Sequence, residues 1–85
     1  MEDLPIPRYF FDMDDGTKLF IDDQGTELAD DHAARLEGTA ALAAMGKDHM
    51  PGESSEKRMT MLVRKQEGEP FLELALTFKA RQLGP

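Results

Sequence analysis

The stretch FFDMDDGT, residues 10–17, carries residue types that could do chemistry. An aspartate at the end of an apolar strand can attack phosphorus, and a second aspartate can then serve as acid and base. Closely spaced carboxylates can also ligate Ca²⁺. Aspartate followed by glycine is equally typical of a tight turn, because both residues tolerate turn conformations. The stretch therefore has three interpretations: a nucleophile loop, a cation loop or a turn.

The spacing and the context of these aspartates favour the turn. The stretch resembles the D-x-D-G-T signature of haloacid dehalogenase phosphatases, but it has one aspartate too many. A chain of 85 residues also cannot supply the parallel α/β sheet of such an enzyme. An EF-hand loop beginning at Asp12 would put Gly16 where a ligand is needed and Thr17 where glycine is needed. We therefore expect no metal site and no cofactor, and adventitious binding of a divalent cation by the acidic loops is left as the alternative; the loop carboxylates are Asp14, Asp15, Asp22 and Asp23.

The remaining candidates for catalysis lack partners. His32 and His49 lie about 25 Å apart along a predicted helix, so one chain cannot bring them into a single site. Ser54 and Ser55 have no general base nearby in the sequence. We predict that the chain has no catalytic residue and is not an enzyme.

Length and composition predict one small domain over residues 1–85, with an ordered core of about 7–83. The absence of cysteine excludes disulfides and thiolate zinc sites. The N-terminus lacks the basic residues of a signal peptide, and no apolar stretch approaches the roughly 20 residues that span a bilayer. We expect a soluble, cytoplasmic protein that does not bind membranes.

The charge is unevenly distributed along the chain. Residues 1–56 carry 4 Lys/Arg and 14 Asp/Glu, whereas residues 57–85 carry 6 and 3, and the net charge is −7. An acidic protein is repelled by the phosphates of nucleic acids unless it segregates a basic patch. Nucleic acid is therefore not the expected partner, although the basic C-terminal third keeps it as an alternative.

A hairpin is predicted around the aspartates, with strands Tyr9–Met13 and Lys18–Asp22 and a three-residue loop of Asp14, Asp15 and Gly16. This register pairs Phe10 with Phe20, Asp12 with Lys18 and Arg8 with Asp22. If Phe10 and Phe20 point away from the helix, they leave an exposed apolar pair. We predict that this pair is an interface.

The rest of the chain predicts one helix and a second hairpin. The alanine-rich segment HAARLEGTAALAAM follows Asp30 and Asp31, either of which can cap a helix. A polar loop over residues 51–56 leads to strands Lys57–Gln66 and Pro70–Ala80 around a Glu67–Gly68 turn. This hairpin places Met59, Met61 and Val63 opposite Leu76, Leu74 and Leu72. Pro70 cannot donate to a ladder, so its strand either begins there or has an exposed edge.

The predicted fold is α+β, with a four-stranded antiparallel sheet in ββ-α-ββ order and one helix packed on one face. On the second hairpin, Arg58, Arg64 and Lys79 alternate onto the same predicted face as Phe71. Cations beside an aromatic are typical of sheets that bind single-stranded nucleic acid. Such sheets use two or three aromatics, however, and Glu73 interrupts this patch.

The segments PRYFFDMDDG and DDQGTEL, followed by the helix opening D-D-x-A-A-R, together resemble a known family. It comprises small uncharacterised proteins of rhizobia and related alphaproteobacteria that open with P-R-Y-F-F/H-x-x-D-G and continue with D-x-x-G-x-E-L/F. The resemblance runs from Pro7 to about Leu83 and implies a domain of unknown function. This chain departs from the pattern in the additional aspartate of DMDDG and in Gly38, where a helix former is expected.

A weaker resemblance is to HicB-type antitoxin domains, which also place a short meander ahead of an amphipathic helix. We expect a non-enzymatic binding or regulatory module that acts through protein–protein contacts with an unknown protein partner. We also expect a homodimer formed through a face or an edge of the sheet. The alternatives are a nucleic-acid-binding domain that uses the basic hairpin and an antitoxin-like module.

Overall fold

The computed structural model describes residues 6–49, 55–66 and 68–85. The elements are β1 (Arg8–Asp14), β2 (Leu19–Phe20), β3 (Thr26–Glu27), α1 (Asp31–His49), β4 (Glu56–Lys65) and β5 (Pro70–Lys79). All strand pairs are antiparallel in the order β2-β1-β4-β5, and β3 also pairs with β1. The predicted α+β class is confirmed, with five strands instead of four.

Two of the predicted loops lie partly outside the described residues. The positions that are not described include 51–54 of the predicted polar loop, Glu67 of the predicted turn, and residues 1–5. Within the described part of the chain, no helix is both long and apolar enough to cross a membrane.

The core lies between α1 and one face of the sheet. Met59, Met61 and Val63 on β4 are almost completely buried there. They pair with Leu76, Leu74 and Leu72 on β5, as predicted. Alternate residues of a strand point to the same face, so the apolar period of two on both strands determined this pairing.

Gly38 allows the helix to lie close to the sheet. A Cβ atom at this position would lie 2.9 Å from Cδ1 of Leu74 and 3.3 Å from Cε2 of Phe11. The glycine that departs from helix propensity is therefore explained by packing. At the start of the helix, the carboxylate of Asp30 accepts the N–H of Ala33 at 2.8 Å, so Asp30 is the capping residue.

The predicted register of the first hairpin is wrong by three residues. Met13 pairs with Phe20 and Asp14 with Leu19, which leaves Asp15–Lys18 as the loop. The carboxylate of Asp15 accepts the N–H and hydroxyl of Thr17 and the N–H of Lys18 at 2.8–2.9 Å. These three bonds fix Asp15 as the first loop residue and draw Lys18 into the loop, away from Asp12.

Candidate functional site

The free side of β1 is closed by a segment of the chain that runs beside it as an interrupted strand. β2 pairs with one end of β1 and β3 with the other. Between them the Asp22 carboxylate accepts the N–H of Phe11 at 3.0 Å, as a strand carbonyl would. The other oxygen of Asp22 accepts the N–H groups of Gln24 and Gly25, each at 3.0 Å. A side chain therefore completes the ladder where the strand is broken.

Arg64 on β4 binds this interrupted strand to the sheet face opposite α1. Its Nε lies 2.8 Å from Oδ2 of Asp12, and its Nη2 lies 3.2 Å from Oδ1, so the contact is bidentate. Nη2 also donates to the carbonyl of Asp22 at 3.0 Å. In turn, the Asp22 N–H donates to Asp12 at 2.9 Å. Arg64, Asp12 and Asp22 form one network, which we call the outer network.

The charges of the outer network stabilise one another. Hydrogen bonding to Arg64 holds the pKa of the Asp12 carboxyl below its ordinary value, and the same contact raises the pKa of Arg64. Burial opposes ionisation of Asp22, but the N–H donors of Gly25, Phe11 and Gln24 outweigh burial and lower its pKa. Both carboxylates are therefore ionised acceptors near neutral pH.

Gly25 and Arg8 complete the closure of this edge. Gly25 has a φ of +74°, and a Cβ there would lie 2.7 Å from Cγ of Arg8 and 2.8 Å from Cε2 of Phe10. Arg8 donates to the Gln24 carbonyl at 2.9 Å and lies 3.3 Å from the Glu27 carboxylate. Residues of the PRYFF and D-x-x-G-x-E segments thus contact one another, and their role here is structural.

A second polar cluster joins β1, α1 and β4 on the helix side. The buried Tyr9 hydroxyl donates to Asp31 at 2.7 Å, and Nζ of Lys65 lies 3.0 Å from the same carboxylate oxygen. Burial, with the Asp31 hydrogen bond and charge adding to it, raises the pKa of Tyr9 to about 12. The Phe71 ring lies 6.0 Å from the Tyr9 ring.

Phe10 and Phe20 do not form the predicted pair. Phe20 is opposite Met13 and shares the helix side of the sheet, whereas Phe10 lies on the other face. Cζ of Arg64 lies 4.6 Å from the centre of the Phe10 ring, so the outer network covers it. Phe20 is 38% exposed, with Nζ of Lys18 5.0 Å from its ring centre. The pairing was wrong because it depended on the hairpin register.

The predicted nucleic-acid residues are not brought together on one surface. Arg64 is engaged by Asp12, and Phe71 contacts Tyr9 on the helix side. A bulge produces this change of face, because Val63 pairs with Leu72 whereas Arg64 pairs with Pro70. Arg58 and Lys79 do lie on the face opposite the helix, beside Thr77 and Glu56 respectively. The predicted common face for all four residues is therefore wrong.

The acidic loops use their carboxylates to bind their own backbone. Asp14 accepts the N–H of Gly16 at 2.8 Å, in addition to the bonds that Asp15 makes within the same loop. Backbone hydrogen bonds to Thr17 and Lys18 lower the pKa of Asp15 to about 2. Over residues 6–49, 55–66 and 68–85, no group of three or more His, Asp or Glu side chains could hold a metal ion.

Among the residues that the structure describes, no strand pairs with the edge of β5 that faces away from β4, which we call its free edge. The N–H of Ala80 donates to the carbonyl of Ser55, which identifies 55 and 80 as a hydrogen-bonded pair. In an antiparallel ladder such pairs alternate along the strands, so even-numbered residues of β5 bond to β4. The N–H and C=O groups of odd-numbered residues point away from β4, and these residues are Glu73, Ala75, Thr77 and Lys79. All four are exposed.

An apolar groove follows this edge on the helix side. It has a volume of about 160 Å³ and is lined by Thr39, Leu42, Ala43, Leu74, Ala75 and Leu76. The apolar residues of β5 are only half-buried, whereas Met59 and Val63 on β4 are 0% exposed. Sequence reasoning predicted this strand but left its place in the sheet open. Pro70 was the one signal for an edge, and it does begin β5.

Comparison with known proteins gives a family and no activity. No curated protein and no solved structure shows significant similarity to this chain. A family model matches residues 8–77, which include the outer network and most of β5. The chain belongs to this family, which is described as a domain of unknown function (DUF6894).

Proposed function

We propose that this domain is a non-enzymatic protein-binding module that binds its partner by adding a strand to β5. The observation that carries the proposal is the free edge of a ten-residue strand, with outward backbone groups at Glu73, Ala75, Thr77 and Lys79. Main-chain hydrogen bonds give affinity in this mode of recognition, and pockets beside the strand give specificity.

The groove beside β5 supports the same proposal. Edge strands in stable domains are usually short, bulged, charged or covered. The segment Leu74–Phe78 carries no charged residue, and the groove against Leu42 and Ala43 lies beside it on the helix side. A strand added to this edge would find unpaired backbone groups and half-buried leucines together.

Nucleic-acid binding is not favoured by the geometry. Arg64 and Phe71 do not belong to the predicted surface in the structure, so its remaining cations are Arg58 and Lys79. Glu56 lies directly across the β4–β5 ladder from Lys79. No aromatic platform accompanies them on that face of β4 and β5.

The test uses proline at an outward position of β5. Ala75→Pro removes an N–H that points away from β4, so it blocks an added strand but leaves the β4–β5 ladder intact. Ala75→Val keeps the N–H and is the matched control. A photo-crosslinking amino acid at Thr77 is activated in extract of the native cells, with Lys47 on the exposed side of α1 as the control position.

We expect one defined crosslinked protein from position 77 that persists in Ala75→Val and disappears in Ala75→Pro. Thr77→Pro, with the crosslinker moved to Lys79, repeats the test if Ala75→Pro fails to fold by circular dichroism. Equal crosslinking in the proline and valine variants would contradict the proposal, and so would crosslinking from position 47 alone.

A further inference from the structure

We propose that a second copy of this chain occupies the β5 edge, with the two β5 strands antiparallel and Leu76 of each copy facing the other across a two-fold axis. This inference rests on the strand-addition function proposed above and names its partner. It is carried by the backbone geometry and side-chain order of β5.

Backbone geometry restricts how two β5 strands can pair. The outward groups belong to odd-numbered residues, as the Ala80–Ser55 bond shows. Hydrogen-bonded pairs between two copies must therefore join odd-numbered residues to odd-numbered residues. Even-numbered residues then face even-numbered residues, and the two apolar faces lie on the same side of a continuous sheet.

Among these arrangements, the one centred on Leu76 places opposite charges across from each other on one face and apolar side chains across from each other on the other face. On the open face it pairs Glu73 with Lys79 of the second copy, twice by symmetry, and Ala75 with Thr77. On the helix side it pairs Leu74 with Phe78, Leu72 with Ala80, and Leu76 with itself. Opposite charges and apolar pairs directly across a ladder both stabilise it.

Neighbouring arrangements lose this match. Centring on Ala75 puts Glu73 opposite Thr77 and leaves Lys79 opposite Phe71, so both charge pairs disappear. Centring on Glu73 or on Lys79 places like charges directly opposite each other, which is destabilising. Centring on Thr77 pairs Glu73 with Arg81, which lies beyond the end of β5, and sets Lys79 against Ala75. Centring on Leu74 or on Phe78 also separates Glu73 from Lys79. The two-fold axis at Leu76 is therefore the arrangement that the sequence of β5 fits best.

The same arrangement accounts for the groove. Because both helices lie on the same side of the joined sheet, the grooves beside Leu74 and Leu76 in the two copies meet at the junction of the strands. The half-buried leucines of β5 then gain apolar neighbours from the second copy. Burial of apolar area favours association.

A charge-swap experiment tests both the partner and the pairing. Glu73→Lys places lysine opposite Lys79 in its own homodimer, and Lys79→Glu places glutamate opposite Glu73. A mixed dimer of one Glu73→Lys chain and one Lys79→Glu chain restores two opposite-charge pairs. Sedimentation up to high micromolar concentration measures the association of the purified wild-type protein, of each variant alone and of the mixture of the two variants. Glu37→Lys, on the exposed face of α1, is the control.

We expect the wild-type and Glu37→Lys proteins to self-associate to the same extent. Glu73→Lys alone and Lys79→Glu alone are expected to self-associate about tenfold more weakly, and a mixture of these two variants is expected to recover wild-type association. A wild-type monomer at high micromolar concentration would overturn the inference, as would a mixture no stronger than its components. Either result leaves the strand-addition function intact if the Ala75→Pro-sensitive crosslink goes to a different protein, so the two failures are distinguishable.

Single cysteines test the register, because the natural chain has none. Directly opposed residues of a non-hydrogen-bonded pair lie about 4.5 Å apart at Cα, within disulfide range. We expect Leu76→Cys to form a disulfide-linked dimer on oxidation. Ala75→Cys lies diagonally from its copy and stays unlinked. Linkage at position 75 and not at 76 would overturn the register.

Discussion

The two edges of the sheet are built in opposite ways. The edge at β1 is closed by the interrupted strand β2–β3, where the Asp22 carboxylate replaces a missing backbone acceptor for Phe11 and the outer network holds the segment in place. The edge at β5 is a ten-residue strand with outward groups and a groove beside it. Asp12, one of the aspartates that first suggested catalysis, therefore helps to close one edge, and the surface that we propose for binding lies at the other edge, on β5.

The largest effect is expected from breaking the closed edge at Arg64. Arg64→Met leaves the carboxylate of Asp12, a residue that is only 8% exposed, without its bidentate partner. We expect a loss of about 3 kcal/mol in the free energy of unfolding, measured by urea denaturation. Arg58→Met is the control on the same strand and face, and we expect it to change stability by less than about 0.5 kcal/mol. Equal losses would show that the outer network does not hold the edge.

A smaller loss is expected at Gly25. Gly25→Ala introduces a Cβ at a φ of +74° and into contact with Arg8 and Phe10, so we expect a loss of about 2 kcal/mol. Gly84 has a φ of +85° with nothing within 4 Å of a built Cβ. Gly84→Ala therefore introduces the strained φ without the clash, and we expect it to lose about 1 kcal/mol or less, so that the rest of the Gly25→Ala loss is due to the clash. An unfolding curve of Gly25→Ala that matches the wild type would show that this turn does not help to close the edge.

The titration of Tyr9 tests whether its hydroxyl is buried on β1 beside Asp31. Burial and Asp31 raise its pKa from 10.0 to about 12, so the folded state holds the proton more tightly than the unfolded state. Its contribution to stability is complete below pH 10 and is lost as the pH rises toward 12. Because Tyr9 is the one tyrosine and the chain has no tryptophan, phenolate absorbance measures it alone.

We expect the phenolate transition near pH 12, and Asp31→Asn is expected to move it lower by removing the charge that faces the hydroxyl. Tyr9→Phe should abolish the transition and flatten the difference in stability between pH 10 and 12. A transition at the ordinary tyrosine pKa would show that Tyr9 is not buried against the helix.

The smallest effect is expected at the open edge. Ala75→Pro removes no hydrogen bond to β4, and its outward position tolerates proline. We expect its free energy of unfolding, measured at low concentration, to lie within about 1 kcal/mol of the wild type, whereas self-association is lost. A severe loss of monomer stability would show that the Ala75 N–H is bonded within the chain.

The second hairpin could be predicted from sequence because large apolar residues recur at every second position over Met59–Val63 and Leu72–Leu76. Met59, Met61 and Val63 therefore met the predicted leucines. The face of Phe71 could not be predicted, since the bulge beside Arg64 interrupts that alternation. A bulge is a local departure from the period of two, and composition does not reveal it.

The register of the first hairpin was predicted wrongly for a different reason. Cross-strand complementarity favoured a register in which Lys18 faced Asp12 and Asp22 faced Arg8. In the structure these charged side chains pair with residues farther away in the sequence, Asp12 with Arg64 and Arg8 with Glu27. Asp22 binds backbone N–H groups instead. The β5 edge depended on strand order, which is likewise set by contacts distant in sequence.

Amide hydrogen exchange at low and high protein concentration tests the contrast between the edges most directly. The N–H of Phe11, bonded to Asp22, is expected to exchange slowly at both concentrations. The N–H groups of Ala75 and Thr77 should exchange rapidly in dilute protein and slow markedly as concentration rises, because a second β5 pairs with them. Rapid exchange of Ala75 and Thr77 at every concentration, with Phe11 protected, would contradict pairing of two copies at this edge.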